Sequence, residues 1–120
     1  MFGLLAHQGV GSGRVARPWG ETGGARSQQN PEVDDGRPLF VPADKGIVDA
    51  VQRTAERPGV PMARIALAGV MRNPVVSAPI IGPTKVSHLD DAAAALEIDL
   101  TEDEISQLER HYSPRLPTYF

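Results

Sequence analysis

The sequence contains no cysteine among its 120 residues. This absence excludes disulfide bonds, thiolate metal sites and cysteine nucleophiles, and it fits a cytoplasmic protein. Long apolar runs are missing too, since no stretch approaches the roughly 20 residues that a membrane-spanning helix needs. The apolar run at residues 2–6 is too short for the core of a signal peptide and has no basic start. We therefore expect neither a membrane span nor an export signal.

Basic residues and histidines are few. Twelve Lys and Arg stand against fifteen Asp and Glu, and the formal net charge of -3 disfavours a general role in binding nucleic acid or a membrane surface. His7, His88 and His111 lack the spacing of metal ligands, and the neighbouring side chains of Asp90 and Asp91 diverge on a helix. The sequence predicts no metal site.

Glycine is plentiful but unevenly distributed, because eight of the twelve glycines lie before position 37. In residues 1–43 glycines alternate with arginines, and no apolar period continues beyond Leu5. So little apolar surface does not offset the entropy lost on ordering, and we expect residues 1–43 to be irregular or disordered. An irregular segment of this length is unusual in a compact domain, which suggests that it has lost its partner.

Two amphipathic helices are predicted next. The first begins at Asp44, buries one face and ends at Arg57-Pro58-Gly59. The second begins at Pro61, where a missing N–H costs nothing, and ends at Asn73-Pro74. Their predicted buried stripes are Ile47, Val48, Val51 and Ala55 in the first helix, and Ile65, Ala68 and Met71 in the second.

A strand and two more helices follow. Residues 75–81 are rich in Val and Ile on both faces, which is typical of a buried parallel strand. A third helix is predicted over residues 85–96, and a fourth begins at Thr101, where Glu104 completes a capping box. The third helix is expected to bury Val86, Leu89, Ala93 and Leu96, and the fourth Ile105 and Leu108. Residues 114–120 are predicted to be an extended tail.

A single strand cannot satisfy its own backbone groups or cover two faces. We therefore expect residues 44–113 to be part of a larger parallel α/β sheet rather than an autonomous fold.

The junction between the strand and the third helix has the pattern of a phosphate site. Gly82 allows close approach of the backbone, Thr84 offers a hydroxyl and Lys85 a charge, and the helix start directs free N–H groups the same way. The alternative is a plain turn with a helix cap and a solvated lysine. His88 and Asp91 lie on the polar side of the third helix, where an ordinary exposed histidine is the competing interpretation.

From residue 44 to residue 112 the chain resembles the C-terminal portion of an aldo-keto reductase. The matching segments follow one another at the family's spacing: residues 47–51, 55–57, 59–61, 65–68, 72–74, 78–85, 88–92 and 100–105. Residues 13–21 are also similar to the loop after the seventh barrel strand in bacterial NADP-dependent members. The resemblance covers about three-quarters of the chain.

The resemblance implies an α/β fold that is an incomplete (β/α)8 barrel, mostly helical with one or two strands. It also implies a family that reduces the carbonyls of aldehydes and ketones with NADPH and without a metal. In that family, the stretch after the last strand holds the adenosine 2′-phosphate and the adenine. Carried over by position, the cofactor-binding residues are Gly82, Pro83, Thr84 and Lys85 at the phosphate, and His88 and Asp91 near the ribose phosphate and adenine.

The chain also departs from the family pattern. Ala92 stands where many members have an asparagine for the adenine, and Gly69 stands where a bulky aromatic is usual, which implies a packing gap. Residues 4–10 do not match the family's serine loop near the cofactor pyrophosphate.

The family's proton-donor tyrosine, with its aspartate, lysine and histidine partners, comes from early strands that this chain does not match. A barrel of this type needs about 250 residues, roughly twice this length. We therefore interpret the chain as a truncated reductase that keeps part of the NADPH site and has no catalytic residue. Two alternatives stay open: a non-enzymatic helical interaction module, and one half of a split reductase whose N-terminal barrel half is encoded separately.

Overall fold

The computed structural model describes residues 4–7, 16–19, 33–34, 37–38, 42, 44–83 and 85–112. In chain order, the elements are strands β1 (Leu4–His7), β2 (Val33–Asp34) and β3 (Arg37–Pro38), helices α1 (Asp44–Glu56) and α2 (Met62–Arg72), strand β4 (Val76–Ile80), and helices α3 (Val86–Ala95) and α4 (Glu102–Glu109). The tail predicted at residues 114–120 and most of the segment 1–43 lie outside the described residues.

Helix α1 begins at Asp44, as predicted, and ends in a glycine-containing cap. Gly59 has a positive φ of 70°, and its N–H donates to the carbonyl of Glu56 at 3.2 Å. The next N–H, of Val60, donates to the carbonyl of Ala55 at 3.0 Å. These two bonds form a Schellman motif, which satisfies carbonyls that the helix end would otherwise leave without a donor.

Helix α2 ends in a tight turn that leads into β4. The side-chain oxygen of Asn73 accepts a hydrogen bond from the N–H of Val75 at 3.0 Å. The carbonyl of Asn73 accepts one from the N–H of Val76 at 3.0 Å. Asparagine thus redirects the chain through an Asx turn, while Pro74 prevents the helix from continuing.

Strand β4 pairs in parallel with β1, in the register Leu5 to Ala78, Ala6 to Pro79 and His7 to Ile80. This differs from the irregular structure expected for residues 1–43, because eight of the residues described there lie in strands β1, β2 and β3. A short apolar run shows no period from which a strand can be recognised, and its partner lies far along the chain. The other described sheet is the antiparallel pair of β2 and β3.

The core lies between α1, α2 and the segment that precedes α4. Its buried cluster consists of Val48, Val51, Ala55, Met62, Ile65, Ala68 and Leu100. Partly buried apolar side chains pack against this cluster, among them Trp19, Val60, Ile105 and Leu108. The buried stripes predicted for α1 and α2 are thus confirmed at Val48, Val51, Ala55, Ile65 and Ala68.

The first turn of α4 contains the capping box that the sequence predicted. The Thr101 hydroxyl accepts a hydrogen bond from the N–H of Glu104 at 3.2 Å, and a carboxylate oxygen of Glu104 accepts one from the N–H of Thr101 at 3.1 Å. At Gly69, where the resemblance implied a packing gap, an added Cβ would lie 3.7 Å from Cδ1 of Leu108, which is ordinary contact.

The expectation that β4 and α3 are buried is wrong. Three of the five residues of β4, Ser77, Ala78 and Ile80, are exposed, and so is Ile81, which follows the strand. In α3 and directly after it, Val86, Leu89 and Leu96 are 76%, 50% and 71% exposed. Ala95 is the buried residue of α3. The apolar pattern shows which faces are suited to burial, but within the described part of the chain no layer covers them. We call the exposed set Val75, Ile80, Ile81, Val86, Leu89 and Leu96 the β4–α3 apolar surface.

Candidate functional site

The candidate site is the junction at which the chain leaves β4 and enters α3. Ile81, Gly82 and Pro83 follow the strand without regular structure and are exposed. Thr84, a predicted phosphate contact, lies outside the described residues. Lys85 is the N-cap of α3, with extended backbone angles of φ -141° and ψ 152°. The junction therefore presents backbone and one cation to solvent at a helix start.

The N-terminus of α3 carries positive charge that no acidic residue of its first turn balances. The side chain of the N-cap residue Lys85 makes no capping hydrogen bond, and the first turn holds no acidic residue. Lysine is a poor N-cap, because the favoured residues have a side-chain oxygen that accepts from the first N–H groups. The helix dipole and the lysine charge therefore add at this point, and both favour an anion.

His88 and Asp91 continue from Lys85 along one side of α3. Residues three apart on a helix are neighbours on its surface, so the three side chains form a short stripe. The backbone N–H of His88 donates to the carbonyl of Lys85 at 3.1 Å, and the residue is exposed. The structure thus brings Gly82, Pro83, Lys85 and His88 together at one exposed helix start.

Asp91 differs from the other site residues because another helix engages it. Its Oδ1 accepts from Nε of Arg64, on α2, at 2.9 Å, and its side chain is only 22% exposed. Sequence analysis missed Arg64. The two residues are 27 positions apart and share no local spacing, so no periodic signal could have paired them.

The arrangement described above has the chemistry to attract an anion. In general, a lysine and a helix start can hold a phosphate by charge and hydrogen bonds, whereas reduction of a carbonyl also needs a positioned acid. Within the described residues no cluster of three or more metal-ligating side chains occurs. The same residues include no helix that is both long and apolar enough to cross a membrane.

The sequence model of the Aldo/keto reductase family matches residues 2–113. The chain belongs to this family. Its (β/α)8 barrel explains the parallel pairing of β1 and β4, and β4 is followed by a helix as each barrel strand is. The described part is small and mostly helical, consistent with a fragment of such a barrel.

Three curated fungal proteins illustrate the relationship. Versiconal hemiacetal acetate reductase of Aspergillus parasiticus is 33% identical over 117 residues, which is 93% of this chain and 33% of that protein. An aldo-keto reductase of Fusarium vanettenii is 36% identical, over 94% of this chain and 30% of its own length. Another, of Metarhizium robertsii, is 34% identical over the same shares. The chain therefore spans about a third of the length of the relatives it matches.

Proposed function

We propose that this chain forms the part of an aldo/keto reductase that binds the adenosine 2′-phosphate end of NADP(H). Lys85 is the charge partner of the phosphate, the loop of Gly82, Pro83 and Thr84 lies against it, and His88 contacts the ribose-phosphate region. The observation that carries the proposal is the start of α3, where the exposed Lys85 makes no capping hydrogen bond and lies five residues after the end of a parallel strand. Such a junction suits a terminal phosphate monoester.

The cofactor supplies the hydride of the family's reaction, and this chain supplies only part of its binding site. Protonation of the carbonyl oxygen needs a positioned acid, which the resemblance assigns to strands that this chain does not match. Purified chain is therefore expected to show no NADPH-dependent reduction of aldehydes. Turnover at a rate near that of an intact reductase would refute this part of the proposal.

Nucleotide selectivity tests the binding role. The dissociation constants of NADPH and NADH are compared for the chain and for Lys85→Ala, with tryptophan fluorescence as the readout. We expect a preference for NADPH, and we expect Lys85→Ala to reduce it about fivefold, the size of an exposed charge contact near 1 kcal/mol.

The matched control is Lys45→Ala. Lys45 is the other lysine of the sequence, and its ammonium pairs with Asp49 one turn further along α1. This variant removes the same charge but leaves the junction intact, so the preference for NADPH is expected to persist. Equal affinities for the two nucleotides, unchanged in Lys85→Ala, would remove the phosphate assignment.

A second candidate function is that of one half of a split reductase. The β4–α3 apolar surface supports it, because apolar groups on both sides of a parallel strand suit further strands and helices. The proposed partner is a polypeptide that carries the remaining two-thirds of the barrel. The test is co-expression with the Aspergillus reductase from which the matching region has been deleted. Recovery of a one-to-one complex supports the proposal, whereas self-association of this chain alone favours an interaction module.

A further inference from the structure

A partly buried ion pair connects α3 to α2. Arg64 is in the first turn of α2, and its Nε donates to Oδ1 of Asp91 in the middle of α3 at 2.9 Å. The two side chains are 31% and 22% exposed, which is well below the exposure of the ion pairs that Arg72 makes with Asp99 and Glu102. Partial burial reduces solvent screening, so this pair is worth more than a surface pair.

Apolar packing does little to hold the N-terminal half of α3. Ala95, the buried residue of the helix, lies at its C-terminal end, while Val86 and Leu89 near the start are exposed. The ion pair lies between these two regions. Lys85 precedes Asp91 by about 9 Å along the helix axis, at 1.5 Å per residue. The pair therefore links α3 to α2 at a point nearer to the helix start than the buried Ala95.

We propose that Arg64 is a positioning residue for the nucleotide-phosphate site. It holds Asp91, and through α3 it fixes the direction in which Lys85 and the helix start point. Asp91 then acts on the nucleotide through the helix and not by contact with it. This inference rests on the proposed function and deepens it, because it adds a residue from a second helix to the site.

The direction in which Asp91→Asn changes the affinity for NADPH distinguishes a positioning role from a long-range electrostatic effect. Asp91→Asn removes a negative charge near a site for an anion, so electrostatics alone would tighten the binding of NADPH. A positioning role predicts weaker binding of NADPH, because the neutral amide forms no ion pair with the Arg64 guanidinium and α3 is then held less firmly against α2. Arg64→Gln removes a positive charge, and both interpretations predict weaker binding. The informative variant is therefore Asp91→Asn.

The experiment measures the dissociation constants of NADPH and NADH for the full chain and five variants. These are Arg64→Gln, Asp91→Asn, the double variant, the exchanged pair Arg64→Asp with Asp91→Arg, and the control Arg72→Gln. We expect each single substitution to weaken NADPH about fivefold and to lower its preference over NADH. The double variant should bind NADPH no more weakly than either single variant. The exchanged pair should restore the dissociation constant of NADPH to within about twofold of that of the original chain.

Arg72→Gln is a matched control because it removes the same charge from the same helix without touching α3. It should leave the preference for NADPH unchanged within about twofold. Far-UV circular dichroism verifies that each variant keeps its helices. A loss of folded protein would weaken both nucleotides equally, whereas loss of positioning acts mainly on the phosphate that distinguishes them.

The remaining outcomes overturn the inference in different ways. Tighter binding in Asp91→Asn would show that only long-range charge is at work. Weaker binding in Asp91→Asn with none in Arg64→Gln would show that Asp91 contacts the nucleotide directly. A chain with no preference for NADPH would refute the proposed function itself, whereas a preference that Lys85→Ala abolishes and Arg64→Gln leaves intact would refute the positioning role alone.

Discussion

At the residue scale, Gly59 has a backbone conformation that other residues avoid. Its φ of 70° lies in the left-handed region, and the two hydrogen bonds that close α1 depend on it. We expect Gly59→Ala to lower the free energy of unfolding by about 1 kcal/mol, because alanine is strained there although nothing lies near its Cβ. Urea unfolding followed by the fluorescence of Trp19, the single tryptophan, measures the change.

Gly69 provides the control of opposite sign. It lies inside α2, and a Cβ there would meet Leu108 at an ordinary 3.7 Å. Gly69→Ala should therefore raise the free energy of unfolding by about 0.5–1 kcal/mol, since alanine is the better helix former. If both substitutions shifted stability in the same direction, the positive φ at Gly59 would not be the cause.

At the scale of an element, α4 depends on its capping box. Thr101→Ala removes the hydroxyl that accepts from the N–H of Glu104 and should cost about 1 kcal/mol of stability. Ser106→Ala, an exposed substitution in the interior of the same helix, is the control and should change stability by less than about 0.5 kcal/mol. Equal losses in the two variants, measured by thermal unfolding, would contradict a specific role for the cap.

The same scale shows why helices were predictable here and contacts between elements were not. Helix ends are determined by residues close together in the chain: caps, prolines and a glycine with positive φ. Such residues mark the helix starts at Asp44 and Thr101 and the stop at Arg57. The pairing of β1 with β4 and the Arg64–Asp91 ion pair join residues far apart in the chain. The candidate site shows the same division, because the Lys85 junction is a local motif whereas the Arg64–Asp91 pair, which we propose as its support, is a tertiary contact.

At the scale of the whole molecule, the described helices differ in burial. Helices α1 and α2 share a buried apolar core, whereas the large apolar side chains of α3 are exposed. Val48 and Ile65, in α1 and α2, are each 1% exposed, while the apolar side chains of α3 that periodicity predicted to be buried face solvent. Periodicity identifies a face that can be buried but carries no information on whether a covering layer is present. The relatives are about three times as long as this chain, and the family barrel places further strands beside β4.

This difference in burial predicts that replacing leucine by glutamate affects stability far less in α3 than in α2. Leu89→Glu places a charge on a side chain that is 50% exposed, so the free energy of unfolding should change by less than about 1 kcal/mol, and binding of the dye ANS should fall as the apolar surface shrinks. Leu67→Glu buries a charge at a position that is 5% exposed and should abolish the cooperative unfolding transition. If Leu89→Glu unfolded the chain as completely as Leu67→Glu, α3 would be covered in solution. The β4–α3 apolar surface would then be part of a closed core rather than a face open to the rest of a barrel.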